Sequence, residues 1–232
     1  MTDGPMTDET DETLVTLEVY DGPPHEAAAD LIARARRGDA EMSFGPPPTS
    51  TTPEPTTTVE VRTDLHRWTL RAADRSRPAA VVTARPGIGA VVVDIVVAPE
   101  YRSTGVATAA VERLLAAPER LVGDAESILA CAYGSHPAAL RLAARFGSTV
   151  VAARHHLVRP DSGPARRPPE PTERAPIRDD RWAVLAETPV DGGPDEIVVD
   201  ADDDARIELL RSAGLRHDRT DVLIRTATGS TP

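Results

Sequence analysis

The chain of 232 residues contains no lysine, asparagine or glutamine, so all 26 of its basic residues are arginine. Only 3% of the residues are aromatic, and the core must therefore be built from alanine, valine, leucine and isoleucine. The single cysteine, Cys131, excludes a disulfide within the chain and a thiolate metal cluster. No apolar run is long enough for a membrane-spanning helix, which needs about 20 residues. Residues 1–13 are acidic and do not resemble a signal peptide, so we expect a cytoplasmic protein.

Acidic residues outnumber basic ones, and the formal net charge is −11. Nucleic-acid binding needs a basic surface that neutralises phosphates, so this charge argues against DNA or RNA as a partner. An acidic surface by itself mainly favours solubility. We therefore expect no nucleic acid and no membrane among the partners, and a chain that is a monomer or a homodimer.

The 22 prolines are clustered and divide the chain into segments. A disordered acidic tail is predicted first, and the chain from there to residue 160 is predicted to form one domain that contains a Pro/Thr-rich loop. A proline-rich linker and a partial β-α-β module should follow. The expected segments are the tail 1–13, the domain 14–160 with its loop 43–58, the linker 161–181, the module 182–226 and a final tail 227–232.

Hydrophobic periodicity predicts an α/β protein in which strands and helices follow one another along the chain. Ala90–Val97 is the strongest strand candidate, and the turn at 87–89 should join it to Ala80–Ala84 as a hairpin. A further strand is predicted at Arg67–Ala73. Ser135 is the expected N-cap of the last helix of the domain.

The segment from Val91 to Ala107 carries the clearest functional signal. An apolar strand ends at Pro99, a tight turn follows, and a helix begins at Gly105. Backbone N–H groups at such a turn, together with the helix N-terminus, favour a bound phosphate. Gly105 lets the backbone approach closely, and Arg102 can add a charge-assisted hydrogen bond. The residues alone also allow a purely structural strand–turn–helix unit.

The pattern Arg-x-x-Gly-x-Ala at 102–107, after a strand that ends in Val-x-Pro, resembles the acetyl-CoA signature of the GNAT superfamily of N-acetyltransferases. The order of the helices and strands that follow, up to Phe146-Gly147, is also similar to the GNAT order. The resemblance implies the GNAT acyl-CoA N-acyltransferase fold, a mixed, mostly antiparallel sheet of six or seven strands with helices on both faces. It also implies acetyl-CoA as acyl donor, and pantetheine in an opening beside the strand that carries Val96. The implied coenzyme contacts are Ile95, Val96 and Val97 for the acetyl and pantetheine part, and Arg102, Ser103, Thr104, Gly105, Val106, Ala107 and Thr108 for the pyrophosphate.

Within that superfamily, the segment Ala-Tyr-Gly-Ser-His-Pro-Ala-Ala at 132–139 looks like the N-terminal half of the mycothiol synthases of actinobacteria, which are tandem GNAT enzymes. Residues 197–222 look like the end of the C-terminal half. The alanine- and arginine-rich composition is typical of the same bacteria. The resemblance implies a small-molecule amine acceptor, such as a mycothiol precursor, and a truncated second GNAT half.

Acetyl transfer to an amine needs a base for the ammonium and an acid for the departing thiolate. Many GNAT enzymes use a tyrosine on the last helix as the acid, but the matching positions here hold Ala143 and Leu210, which cannot donate a proton. Asp94 is the candidate base if it faces the cleft; the solvated face of its strand is the alternative. Tyr133, at the end of the next strand, is the candidate acid, or else a half-buried aromatic residue.

Other polar residues favour structural roles. His155 and His156 should lie on opposite faces of one strand and so cannot share a metal ion. The aspartates at 200–204 lack the glycine and the distal glutamate of a calcium loop, so no metal is expected. Three functions remain open: an acetyl-CoA-dependent N-acetyltransferase, a non-catalytic acyl-CoA-binding relic of a tandem enzyme, and a partner-binding module that uses the fold as a scaffold.

Overall fold

The computed structural model describes residues 15–42, 44, 55–63, 77–87, 89–160, 182, 185 and 196–228. Its strands are β1 (Val15–Asp21), β2 (Thr57–Thr63), β3 (Ala80–Gly87), β4 (Ala90–Val97), β5 (Ser127–Ala132), β6 (Thr149–Val158), β7 (Glu196–Asp200) and β8 (Arg216–Ala227). Its helices are α1 (Glu26–Ala40), α2 (Val106–Ala116), α3 (Glu119–Val122), α4 (Pro137–Arg145) and α5 (Asp204–Ser212). These elements confirm the predicted α/β class.

The eight strands form one sheet in the order β1-β2-β3-β4-β5-β8-β6-β7. Strands β4 and β5 pair in parallel, and the other neighbouring pairs are antiparallel. The predicted hairpin is β3–β4, with Ala80 opposite Val97 and Gly87 opposite Ala90. The mixed, mostly antiparallel sheet is therefore confirmed, with one or two strands more than expected.

Helices cover both faces of this sheet. Helix α1 packs on β3 and β4, and its Arg36 binds Asp94, so it covers the face that carries Asp94 and Val92. Val92 pairs with Leu129, which puts Leu129 on the same face and Ala132, three residues on, on the opposite face. Helix α4 packs on Ala132 and therefore lies across the sheet from α1. Helix α2 contacts β1, β2 and β4.

Strand β8 lies between β5 and β6 and pairs with both of them. Ala130 and Val150 both pair with Ile224, from opposite sides. The buried side chains of Leu223 and Ile224 belong to the cores formed with those strands. Residues 196–227 supply β7, α5 and β8 in the β-α-β order expected for the module at 182–226, and β8 is an interior strand of the sheet built by residues 15–158.

Several boundaries differ from the predicted ones. Strand β2 begins at Thr57, so the last two residues of the expected Pro/Thr-rich loop belong to the sheet. Trp182 and Leu185 are buried against β5, β6 and β8. The strand predicted at 67–73, the acidic tail 1–13 and the linker 161–181 lie outside the described residues. Among the described helices, none is both long and apolar enough to cross a membrane.

Candidate active site

An opening between β4 and β5 is the main feature of the middle of the sheet. The two strands pair only at Val91–Ile128 and Val92–Leu129, although β4 continues to Val97. Beyond these pairs β5 bonds only to β8, its antiparallel neighbour on the other side. Residues 94–97 of β4 are half-buried, whereas Val92 and Val93 are buried. The C-terminal half of β4 therefore presents backbone without a neighbouring strand on the β5 side.

The turn that follows β4 has a sharply defined backbone. Pro99–Tyr101 forms a single turn of 3-10 helix, with the Tyr101 ring buried. Ser103 and Gly105 then take left-handed conformations, at φ 64° and 91°, before α2 begins at Val106. A φ of 91° is readily accessible to glycine and strained for other residues. Gly105 is thus required by the turn itself as well as by any ligand.

Five consecutive or near-consecutive amides are available as donors at this turn. In the described part of the chain, no hydrogen-bond acceptor is found for the N–H groups of Ser103, Gly105, Val106, Ala107 and Thr108. The N–H of Thr104 is used within the turn, where it donates to the carbonyl of Tyr101 over 3.4 Å. Free amides at a helix N-terminus, with the helix dipole behind them, suit a pyrophosphate.

The side chain of Arg102 points elsewhere. Its Nη1 and Nη2 donate to the two carboxylate oxygens of Asp39, over 2.7 and 3.0 Å, and its Nε donates to the carbonyl of Val97 over 3.4 Å. The guanidinium is therefore paired with Asp39 in this structure, and a contact of Arg102 with phosphate stays a prediction. The arginine instead joins the last turn of α1 to the end of β4.

Residues from three elements meet across the mouth of this opening. His136, at the start of α4, packs edge-on against Phe44, with ring centroids 4.7 Å apart. Burial lowers the pKa of His136; the nearby Asp39 raises it, and Arg102 lowers it further. These interactions place the α1 end, the turn after β4 and the start of α4 side by side.

Asp94 faces helix α1 rather than open solvent. It lies two residues beyond the last β4–β5 pair, on the same face as Val92. The Nη2 atom of Arg36 donates to its Oδ2, and both side chains are a little over one-third exposed. A carboxylate at this position is accessible and beside the opening, as a base requires, but it is held in an ion pair.

Tyr133 lies just past the end of β5, on the other side of the opening. It begins a short 3-10 turn, Tyr133–Ser135, in which Gly134 and Ser135 are left-handed. The alternation of β5 ends at Ala132, so the strand pattern does not fix the direction of the Tyr133 side chain. The N-cap of α4 is His136, whose Nδ1 accepts from the N–H of Ala138 over 3.2 Å; the prediction of Ser135 as N-cap was wrong.

The positions that match the usual GNAT tyrosine are occupied by core residues. Ala143 packs on Ala132, Val222 and Ile224, and Leu210 packs in the small core under α5. Neither side chain has a proton to donate. An acid for the thiolate therefore has to come from elsewhere.

The remaining polar candidates have structural partners. His155 contacts the Thr220 hydroxyl, whereas His156 is buried between Glu196 and Asp221. Asp203 caps α5 by accepting from the N–H of Arg206 over 3.1 Å. Within the described ranges, no group of three or more His, Cys, Asp or Glu side chains is arranged to hold a metal ion.

The sequence did not reveal Asp39, Phe44 or His136 as part of this site. Asp39 lies in the last turn of α1 and Phe44 lies just beyond it, and nothing local shows that this end of α1 lies beside Arg102. One feature of the sequence could have indicated His136 as the N-cap of α4. It directly precedes Pro137, and proline is favoured at the first position of a helix.

Comparison with known proteins agrees with this architecture. Residues 36–147 match the model of the acetyltransferase (GNAT) family, while no curated protein matches the chain. A GCN5-related N-acetyltransferase from Sphaerobacter thermophilus is 16% identical, with a TM-score of 0.51, over 93% of this chain and 97% of that one. A tandem GNAT protein from the clavulanic acid biosynthesis pathway is 12% identical, with a TM-score of 0.53, over 94% and 100% of the two chains.

At such identities the two structures show the fold, a GNAT acyltransferase fold with a mixed, mostly antiparallel sheet and helices. The family match covers the end of α1, the opening beside β4, the turn after it and helix α4. Residues 36–147 are thus similar to the GNAT family of acetyltransferases, and the chain as a whole has the GNAT fold.

Proposed function

We propose that this chain is an acetyl-CoA-dependent N-acetyltransferase that acts on a small-molecule amine. The observation that carries the proposal is the combination of two structural features that follow each other along the chain. Among the described residues, β4 has no paired strand on the β5 side beyond Val92, and the next turn offers the amides of Ser103 and Gly105–Thr108 without an acceptor. The first suits the amide-rich pantetheine arm, and the second suits the pyrophosphate.

The proposed reaction needs no group beyond acetyl-CoA and the amine. The amine nitrogen attacks the acetyl carbon, the C–S bond breaks, and the electron pair leaves with the CoA sulfur as a thiolate. The ammonium gives one proton to a base before the attack, and the nitrogen loses a second proton as the amide forms. The thiolate takes one proton from an acid, so one proton is released overall. We assign the base to Asp94 and the acid to Tyr133, which lie on opposite sides of the opening, on β4 and just after β5.

A mycothiol precursor is the acceptor suggested by the sequence around Tyr133 and Ser135. The loops that would select an acceptor include residues 43 and 45–54, which lie outside the described residues. The proposal of this substrate therefore rests on the sequence resemblance, and the chemistry of the site supports only an amine.

A non-catalytic acyl-CoA-binding protein is the second candidate. It is favoured by Ala143, which packs on the sheet core at the position where many GNAT enzymes carry their acid. A scaffold that binds a partner protein is the third, and it would bind no coenzyme.

Two measurements separate these candidates. Calorimetric titration with acetyl-CoA tests the coenzyme site, and a panel of small amines, including mycothiol precursors, tests transfer by release of the CoA thiol. Cys131 is the only thiol of the chain and sets a fixed blank of one thiol per protein molecule. Binding with turnover supports the transferase, binding without turnover on any amine supports the acyl-CoA-binding protein, and no binding leaves the scaffold.

A further inference from the structure

A buried charged network joins the last three strands of the sheet. Asp221 on β8 is fully buried, and its Oδ2 lies 2.8 Å from His156 Nε2 and 3.0 Å from Arg154 Nε, both on β6. On the far side of the imidazole, Nδ1 lies 2.6 Å from Oε1 of Glu196 on β7. Nη2 of Arg219 lies 3.0 Å from the same Nδ1, so the imidazole is enclosed by two carboxylates and a guanidinium.

Two arginines pair with the carboxylates of the network. Arg219 donates to Glu196 over 2.8 Å and to Asp218 over 3.0 Å. Arg154 pairs with Asp221 over 3.0 Å. A buried charge left without its partner is costly, so the network holds Asp221 ionised and in place.

One oxygen of Asp221 leaves the network and reaches the candidate active site. Its Oδ1 accepts the N–H of Gly134, over 3.0 Å, in the turn between β5 and α4. The next residue of the turn, Ser135, donates its hydroxyl to the carbonyl of Thr220, over 2.9 Å. Two adjacent residues of β8 thus hold two adjacent residues of the turn.

The turn is held in a conformation that it would not keep unaided. Gly134 and Ser135 have φ of 59° and 54°, and left-handed backbone at a residue other than glycine is uncommon and persists where surrounding contacts impose it. Tyr133 begins the turn and His136 ends it. The same two hydrogen bonds hold the backbone between these two residues.

We propose that Asp221 is a positioning residue for acetyl transfer, which acts through the N–H of Gly134 to fix the β5–α4 turn at the acetyl end of the coenzyme opening. The expected effect of Asp221 on the rate of acetyl transfer rests on the proposed transferase function. The expected effect on the structure of the turn does not. Asp221 touches neither substrate nor coenzyme. It sets where Tyr133 and His136 stand relative to the opening.

The test compares Asp221→Asn with Glu196→Gln. Both replace a carboxylate of the network by its amide, but only the first touches the turn. An amide has one oxygen and cannot accept on both sides, so in Asp221→Asn that oxygen would turn to the cations and the Gly134 N–H would lose its acceptor. We expect faster hydrogen exchange at the Gly134 amide and a fall in kcat/KM of about tenfold, mainly in kcat, since small misplacements of reacting groups are costly.

Glu196→Gln should change neither measurement. Unaltered exchange at Gly134 in Asp221→Asn, or an equal loss of kcat/KM in Glu196→Gln, would overturn the proposal. If Asp221→Asn does not fold, the same two measurements are made on Ser135→Ala, with Ser148→Ala as its control. Ser148 makes a similar hydrogen bond to Thr226, 2.7 Å long, between β6 and β8 but away from the turn.

Ser135→Ala should speed exchange at the turn and lower kcat/KM, and Ser148→Ala should do neither; identical behaviour of the two variants would contradict the proposal. Should the parent protein show no turnover, the transferase function fails by itself. Exchange at Gly134 and the affinity for acetyl-CoA, measured in the same variants, then decide whether Asp221 positions the turn.

Discussion

Both terminal nitrogens of Arg102 donate to the carboxylate of Asp39, so the guanidinium beside the coenzyme turn is already paired. Side-chain charge at this turn is therefore directed toward α1, and the free donors that face an incoming pyrophosphate are backbone amides. Coenzyme affinity should consequently depend on the path of the backbone more than on the arginine.

Substitution of Gly105 tests that dependence. Gly105→Glu adds bulk and negative charge among the free amides, and we expect no detectable acetyl-CoA binding by calorimetry in a protein that remains folded. Gly22→Glu is the matched control, because Gly22 has a φ of 96° with open space around a Cβ. Both variants carry the backbone strain, so binding lost in both, or kept in both, would contradict the assignment of the turn.

Removal of the candidate base is the second test. If Asp94 accepts the proton of the amine, Asp94→Ala should lower the rate of acetyl transfer by about a hundredfold, within the usual range for such a group, with little change in acetyl-CoA affinity. Glu18→Ala removes another ion-paired carboxylate, bound to Arg62 over 3.4 Å at the far edge of the sheet, and should leave the rate unchanged. A rate for Asp94→Ala equal to that of the parent excludes this base.

The candidate acid gives a third test. Tyr133→Phe deletes only the phenol oxygen, and if that group protonates the thiolate, the transfer rate should also fall by about a hundredfold. Tyr20→Phe is the control. The Tyr20 hydroxyl donates a hydrogen bond of 2.9 Å to Glu60, and this pair lies away from the opening. Normal turnover in Tyr133→Phe would remove Tyr133 from the mechanism.

Truncation tests the role of the C-terminal strand. A chain that ends at residue 195 lacks β7, α5 and β8 and therefore the buried Leu223 and Ile224. Burial of each such side chain is worth about 2 kcal/mol, against a total stability of about 5–15 kcal/mol for a domain. We expect no cooperative thermal unfolding by circular dichroism, whereas a chain that ends at Thr228 should unfold like the full protein. Cooperative unfolding of the shorter chain would show that β8 is dispensable.

Acid stability should depend on Asp221. Burial alone would raise its pKa, but the hydrogen bond and charge of His156, the charge of Arg154 and the Gly134 N–H outweigh burial and lower it. A carboxyl whose pKa is lower in the folded than in the unfolded state stabilises the protein at pH values above its ordinary pKa of 3.8. That stabilisation is lost as the pH falls below 3.8. The free energy of unfolding, from urea titrations at several pH values, should fall less steeply with acid in Asp221→Asn. Equal slopes would contradict this role.

Local patterns in the sequence were enough for the middle of the chain. The apolar run Ala90–Val97, the glycines at 87 and 89 and the helix start next to Gly105 are each encoded within a few residues, and the structure confirms the hairpin and the helix. The opening beside β4 was implied by the resemblance to a family, because no local pattern tells where two parallel strands separate.

The rest depended on contacts between distant residues. Strand β8 was predicted as a strand, but its place between β5 and β6 is set by pairs such as Leu129–Arg225, which no periodicity encodes. In the same way, Asp39 gave no sign that it would bind Arg102, and the two left-handed residues of the β5–α4 turn follow from hydrogen bonds to β8.

The interior position of β8 also sets the order of events during synthesis. Strands β5 and β6 leave the ribosome well before the strand that separates them, and each then has an unpaired edge. Such edges invite incorrect pairing, and consecutive antiparallel strands joined by a helix can pair directly with each other. The nascent chain therefore has to keep β5 and β6 apart until β8 emerges, and folding rate and protection from aggregation should be decided at this step.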